Sequence, residues 1–390
     1  MDKSVNKITK KITILGSTGS IGENTVDIVS RFPDLFQVVA LTANRNVSLL
    51  AHQAKKLNAE CAVVADDNKY LELKQLLSGT DIEVASGTEA LLDAAERNSD
   101  LTMASIVGVA GLLPTLASIK SGKVIGLANK ECLVSAGEIF IKELDKKGAK
   151  IIPVDSEHNA IFQAFNTSQK NSVRRIILTA SGGPFHKFTE YQMKNVTREQ
   201  AINHPNWNMG AKISIDSATM MNKGLEVIEA YYLFPIEKNA IEILIHPQSI
   251  VHSMVDYFDG SVIAQLGMPD MRTPISYALS WPNRIETPVP RLELEKIKEL
   301  TFEPPDPVKF PALRASREAL EAGGYAPTIL NAANEVAVEN FLNKKIEFGE
   351  IIKLIDKALE KIEPGLPSSI EDVLSADRSA REFVKNSISQ

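Results

Sequence analysis

The chain offers little that would carry it through or into a membrane. Its first residues, Met-Asp-Lys-Ser-Val-Asn-Lys-Ile-Thr-Lys, contain no apolar core, so no secretory signal is expected. No apolar run is long enough to span a bilayer. There are only two cysteines, Cys61 and Cys132, far apart and outside any Cys-x-x-Cys pair. They are expected to be reduced core thiols of a cytoplasmic protein. A basic excess is also missing. The 43 Lys and Arg against 49 Asp and Glu leave a net charge of -6, which speaks against a nucleic-acid partner. No internal repeat and no low-complexity tract is visible. What is present, 44% hydrophobic and 24% charged residues, is the balance of a soluble globular protein. At 390 residues the chain exceeds one ordinary core, and two or three domains are expected.

The first 150 residues alternate short apolar runs with helical patterns. Residues 11–15, 37–41, 61–65, 102–107, 124–128 and 151–154 read as buried strands, and 21–31, 47–57 and 131–146 as helices. That alternation implies βαβ units and a mostly parallel sheet. After Val154 the pattern changes to α+β. Strands are expected at 176–180, 241–245, 250–258 and 261–266, the last two flanking Asp259-Gly260, a two-residue hairpin signal. Seven prolines crowd residues 282–311 (Pro282, Pro288, Pro290, Pro304, Pro305, Pro307 and Pro311) and predict an extended linker. From Ala312 onward the spacing is helical, with helices expected over 328–342, 348–361 and 369–388. The expected division is a Rossmann-like domain over 1–154, an α+β domain over 155–281, the linker, and a C-terminal helical bundle over 312–390.

The first predicted strand runs into Gly16-Ser-Thr-Gly19-Ser-Ile-Gly22 and then a helix. Glycine allows the tight turn and a close backbone approach to a pyrophosphate at the helix N-terminus, with hydroxyl donors from Ser17, Thr18 and Ser20. The second strand ends in Asn44-Arg45-Asn46 with no carboxylate to hold a ribose 2′-hydroxyl, whereas Arg45 can pair with a 2′-phosphate; NADP is favoured. Asn129-Lys130-Glu131 follows another strand end, where open α/β sheets bind ligands.

The densest chemistry lies at 204–226, which packs His204, Trp207, hydroxyls, an amide, a lysine and a carboxylate into a short span. Ser217, Asn222 and Lys223 suit a phosphate. Glu226 is a hard oxygen donor, and Asp155 and Glu157, ending a strand, could complete a three-oxygen site for Mg²⁺ or Mn²⁺. Ser181 in Ser181-Gly-Gly-Pro would join the anion pocket nearby. His204 could bind phosphate or gate the site. His252, inside a strand, reads as a core histidine.

Taken together these blocks resemble the 1-deoxy-D-xylulose 5-phosphate reductoisomerase family of the non-mevalonate isoprenoid route. The matching motifs are Gly-Ser-Thr-Gly-Ser-Ile-Gly at 16–22, Ala-Asn-Lys-Glu at 128–131, Asp-Ser-Glu-His at 155–158 and Ser-Gly-Gly-Pro-Phe at 181–185. His-Pro-Asn-Trp-Asn-Met-Gly at 204–210, Asp-Ser-Ala-Thr-Met-Met-Asn-Lys-Gly-Leu-Glu at 216–226 and Asn-Ala-Ala-Asn-Glu at 331–335 extend them, as do 245–249 and 267–275. No catalytic position is replaced; Arg45 stands where the family often has lysine. The resemblance implies a homodimer that rearranges and reduces a small phosphorylated ketose with NADPH and a divalent cation, Mg²⁺ or Mn²⁺. It implies Asp155, Glu157 and Glu226 as metal ligands, and Lys130 and Ser156 on the substrate beside them. Ser181, Ser217, Asn222 and Lys223 would hold the phosphate, with His204 and Trp207 in a lid over 204–210. Gly16, Thr18, Gly19, Ser20, Ile21, Asn44, Arg45, Asn46, Asn129, Glu131 and Gly210 would line the NADPH site. Lys130, Asp155, Glu157, His204 and Glu226 would be catalytic. A simpler NADP-dependent phosphosugar or semialdehyde reductase would share the fingerprint without the isomerisation. A silent NADP-binding regulator would have lost the carboxylates.

Overall fold

The computed structural model describes residues 9–120, 124–193, 195–207, 209–363 and 365–389. They form two compact units, each assembled from separated stretches of chain. The first holds seven parallel strands: β1 (Lys10–Leu15), β2 (Phe36–Ala43), β3 (Cys61–Val64), β4 (Glu83–Ser86), β5 (Leu101–Ala104), β6 (Val124–Leu127) and β7 (Lys150–Pro153). Their order is β4-β3-β2-β1-β5-β6-β7. β2, β3 and β5 are buried at nearly every position, as mostly apolar strands must be when helices cover both faces of a parallel sheet. The winding reverses between β1 and β5, and the glycine loop leaves β1 at that switch point, where doubly wound sheets bind nucleotides.

The second unit is built on a four-stranded sheet of order β11-β10-β8-β9, from β8 (Val173–Ala180), β9 (Ile241–Ile245), β10 (Val251–Tyr257) and β11 (Val262–Leu266). β8 runs parallel to β9 and antiparallel to β10, which is antiparallel to β11. Helices Met221–Leu233, Ala312–Ala322, Ala326–Leu342, Glu350–Lys361 and Ile370–Ile388 share one core with this sheet, from Ile176 and Leu178 through Val227 and Ile228 to Ile329, Val336, Ile355 and Val384. The last helix starts at a capping box, Ser369 with Asp372.

Three expectations need correction. The linear three-domain division does not coincide with the units. Met271–Val289 belongs to the first, where helix Arg272–Ser280 packs on helix Ser20–Arg31, β6 and β7, while the C-terminal helices belong to the second. The proline-rich segment is more than a spacer from Pro290 on. It contains a helical turn (Leu294–Ile297), bridges Glu303 to Ile245 and buries Phe310. The hairpin loop between β10 and β11 is wider than two residues. Gly260 N–H donates to Tyr257 O and Tyr257 N–H to Ser261 O, the pattern of a type I turn followed by a bulge. Among the described residues no helix is long and apolar enough to cross a membrane.

Candidate active site

In the first unit, the loop after β1 is drawn tight by Gly16 N–H donating to Thr42 Oγ1 (2.9 Å) and Ser17 N–H to Thr42 O (2.8 Å). Gly16 has φ +81, and a Cβ there would stand 2.9 Å from Ser105 O, so only glycine fits. Gly19 caps helix Ser20–Arg31 with no side-chain hydrogen bond, leaving the helix's first N–H groups for an anion. Thr18 is half-buried, as is Ile21, while Gly19 and Ser20 face outward. Ser17 departs from expectation. It is buried, and its hydroxyl donates to Gln53 Oε1 (2.8 Å), so it is not a ligand donor. The cradle, the uncapped helix and the outward hydroxyls fit a dinucleotide pyrophosphate.

Asn44, Arg45 and Asn46 stand exposed where β2 ends. Asn46 Oδ1 accepts from Leu49 N–H and so caps the next helix. Arg45 has a partner that the sequence hid. Its Nε lies 2.9 Å from Asp66 Oδ2, a carboxylate delivered by the end of the neighbouring strand β3. Asn129, after β6, is buried, and its amide is spent within the protein. It donates to Ile106 O and Gly108 O (2.9 Å) and accepts from Cys132 N–H (3.2 Å), tying two strand-end loops together. Glu131 is buried beside it. Lys130 Nζ is ion-paired with Asp155 Oδ2. Asp155 is the residue at which β7 gives way to helix Ser156–Ala164.

In the second unit that helix opens with Ser156 and Glu157, and Ser156 Oγ donates to Glu157 Oε2 (2.6 Å). Glu226 lies on helix Met221–Leu233, fully buried, and offers a carboxylate oxygen within 4.8 Å of Glu157. Lys223 Nζ bridges the two, 2.9 Å from Glu157 Oε1 and also on Glu226 Oε2. Burial opposes its charge, but the two carboxylates outweigh burial and hold its pKa above the usual lysine value. Asn222 Nδ2 donates to Glu226 Oε1 (2.5 Å). Asn222 and Lys223, expected on a phosphate, therefore lie against these carboxylates. Hard anionic oxygens partly exposed at Glu157 suit Mg²⁺ or Mn²⁺.

Ser181 follows β8 in a glycine turn. Gly183 has φ +68, and a Cβ there would meet Ser217 O at 2.5 Å; the missing side chain lets the Ser181 loop touch the helix that carries Ser217. His204 Nε2 lies 2.9 Å from Ser181 Oγ. His204 Nδ1 accepts from Asn206 N–H (3.2 Å) and Trp207 N–H (3.0 Å), so the neutral ring carries its proton on Nε2 and donates to Ser181. Burial lowers the His204 pKa to about 4, with Glu157 pulling the other way. Asn206 Nδ2 donates to Pro247 O (2.5 Å) and Ser249 Oγ (3.1 Å), which docks residues 204–207. Asn208, in the segment expected as a lid, is outside the described residues. Gly210 is exposed at the N-cap of helix Ala211–Ala218. Trp207 faces His252, ring centroids 6.2 Å apart, so His252 lies beside the segment that carries Trp207 instead of filling a remote core. Sequence patterns alone also missed Asp216. It is buried, paired with Lys212 Nζ (2.9 Å) and with Asn334 Nδ2 (2.8 Å) of the Asn-Ala-Ala-Asn-Glu motif, one position before Ser217.

Family models described as 1-deoxy-D-xylulose 5-phosphate reductoisomerase match residues 12–137, with its C-terminal domain at 151–234 and a DXP reductoisomerase C-terminal domain at 266–383. A protein of Zymomonas mobilis subsp. mobilis named 1-deoxy-D-xylulose 5-phosphate reductoisomerase is 54% identical over 95% of this chain and 96% of its own. One of the same name from Rhodospirillum centenum is 53% identical over 97% and 94%. Among solved structures, the Zymomonas mobilis enzyme in complex with NADPH aligns with TM-score 0.93 at 51% identity, covering 98% of this chain and 99% of that one. A DOX-P reductoisomerase in complex with NADPH, fosmidomycin and magnesium aligns with TM-score 0.93 at 41% identity, covering 97% and 98%.

Proposed function

The chain belongs to the 1-deoxy-D-xylulose 5-phosphate reductoisomerase family, and from that premise we propose which of its residues perform the reaction. The enzyme is an NADP-dependent oxidoreductase. It rearranges and reduces 1-deoxy-D-xylulose 5-phosphate to 2-C-methyl-D-erythritol 4-phosphate with NADPH and a divalent cation. When bound, the cation supplies Lewis acidity to the substrate's ketone and adjacent hydroxyl, and NADPH supplies the hydride.

Asp155, Glu157 and Glu226 hold the cation. The observation that carries this assignment is the ammonium of Lys223 shared by Glu157 and Glu226: two carboxylates that a single cation already bridges. Lys130, paired with Asp155, orients that carboxylate and reaches the substrate together with Ser156. Ser181 and Ser217 receive the phosphate, and Asn222 and Lys223 turn toward it as metal takes over the carboxylates. Ser181 accepts from His204 and Gly183 N–H, so its own hydroxyl proton is left to donate to phosphate. Trp207 covers the site and excludes water, which strengthens every charged contact inside. The Gly16–Ile21 loop receives the NADPH pyrophosphate, and Arg45 its 2′-phosphate. Asn129 shapes the floor of that site through the loops it pins, with Glu131 buried beside it. Gly210 is assigned to the cofactor by family resemblance.

The protein acts as a homodimer in the cytoplasm. The dimer is supported by β11, an edge strand with exposed Val262 and Ile263, and the compartment by two free, buried cysteines. The experiment is Glu226→Gln. Turnover should fall by orders of magnitude, while NADPH binding persists, because its pyrophosphate loop shares no residue with the carboxylates. Full turnover would refute the metal assignment.

A further inference from the structure

The end of β2 lacks the acid that would select a ribose 2′-hydroxyl, yet folding brings one there. β3 lies beside β2, paired from Ala40↔Cys61 to Ala43↔Val64, so the residues just beyond both strands become neighbours. Asp66 N–H donates to Asn44 O (3.1 Å), locking the two strand ends together. The Asp66 carboxylate is built in. Oδ1 accepts from Asn68 N–H (3.1 Å) and Asn68 Nδ2 (3.0 Å), and Oδ2 faces Arg45 Nε at 2.9 Å. Those Asn68 hydrogen bonds first, and Arg45 after them, hold the carboxyl below its usual pKa and so favour its charged form. Arg45, by contrast, is 75% exposed, and Asp66 is its ion-pair partner among the described residues.

We propose that Asp66 is a specificity-determining residue of the cofactor site: its carboxylate holds Arg45 as an internal substitute for the 2′-phosphate and must yield the guanidinium when NADPH binds. The inference rests on the assignment of Arg45 to that phosphate. A protein-held anion beside an arginine reduces the arginine's apparent affinity for an incoming anion by the strength of the pair it breaks. NADH, which has no 2′-phosphate, does not break the pair. Asp66 therefore lowers the NADPH-over-NADH preference below the value Arg45 alone would give. It moderates the affinity for the phosphorylated cofactor, which makes release of the oxidised form easier.

The test is a double-mutant cycle on the full-length protein. Dissociation constants for NADPH and NADH are read from dihydronicotinamide fluorescence at fixed, low ionic strength. Asp66→Asn keeps the Oδ1 acceptor that Asn68 uses and removes only the charge. An exposed ion pair is weak, so NADPH should tighten about two- to fivefold and NADH should stay within about 1.5-fold. In the Arg45→Ala background the same substitution should change NADPH binding by less than about 1.5-fold, because there is no guanidinium left to compete for. Unchanged or weaker NADPH binding in Asp66→Asn overturns the inference and makes Asp66 an orienting group. Tightening that persists without Arg45 also overturns it, in favour of direct repulsion. The underlying assignment is tested separately. If Arg45→Ala alone leaves NADPH affinity intact, the 2′-phosphate contact itself is wrong.

Discussion

Lys223 Nζ lies 2.9 Å from Glu157 Oε1 and at the same time pairs with Glu226, three residues along its own helix. Lys223 sets a positive charge beside Glu226, which is fully buried and also accepts from Asn222 Nδ2. Removing one partner of such a pair strands the others, at a cost of about 3–5 kcal/mol. Lys223→Ala should therefore lose roughly that much in urea unfolding without metal, and Mg²⁺ should restore part of it by replacing the missing positive charge. A variant as stable as the parent without metal, or indifferent to Mg²⁺, would show that the carboxylates do not form a common cation site.

The docking of residues 204–207 should be sensitive to acid. His204 Nδ1 can accept from Asn206 N–H and Trp207 N–H only in the neutral ring, and its pKa falls from 6.5 to about 4 when docked. The free histidine binds protons more readily than the docked one, so docking is fully favoured above about pH 6.5. It weakens as pH falls from there toward about 4. Trp207 fluorescence, with Trp281 replaced by Phe to leave one reporter, should be constant from neutral pH upward and change below about pH 6.5 in the substrate-free protein. His204→Asn should abolish that pH dependence. An unchanged profile in the variant would place the transition elsewhere.

The free edge of β11 carries Val262 and Ile263, about half exposed, and Phe258 at the hairpin is 69% exposed. An unpaired, apolar edge of this kind is a template for pairing with another chain. Ile263→Lys together with Val262→Lys should convert a dimer to monomer in light scattering at micromolar concentration. Retention of the dimer would assign the interface to another surface.

Much of the fold is legible in the sequence because most strands of the parallel sheet are apolar runs and several of the helices have a 3.6-residue period; β4, Glu-Val-Ala-Ser at the sheet's edge, has no such run and escapes that reading. The run 61–65 and the helix 47–57 show this, as the structure gives Cys61–Val64 and Val47–Leu57. What a linear reading could not supply is lateral order. Asp66 is twenty-one positions from Arg45 and meets it only because β3 pairs with β2. His252 has the burial of a core residue, and its place beside Trp207 depends on how residues 204–207 dock. The return of Met271–Val289 to the first unit leaves no periodic signature, since a helix that packs on a distant sheet looks like any other helix. The site motifs were readable for the opposite reason: the Gly16 cradle and the Ser181-Gly-Gly183 turn need particular residues at particular spacings.

The most direct measurement is product identity. Purified protein, NADPH and 1-deoxy-D-xylulose 5-phosphate are incubated with Mg²⁺, with a chelator, and with the chelator followed by excess Mg²⁺; NADPH is followed by absorbance and the product's carbon skeleton by NMR. The expected result is stoichiometric NADPH oxidation to the branched 2-C-methyl-D-erythritol 4-phosphate, stopped by the chelator and restored by Mg²⁺. An unbranched, simply reduced sugar phosphate, or oxidation that continues under chelation, would contradict it.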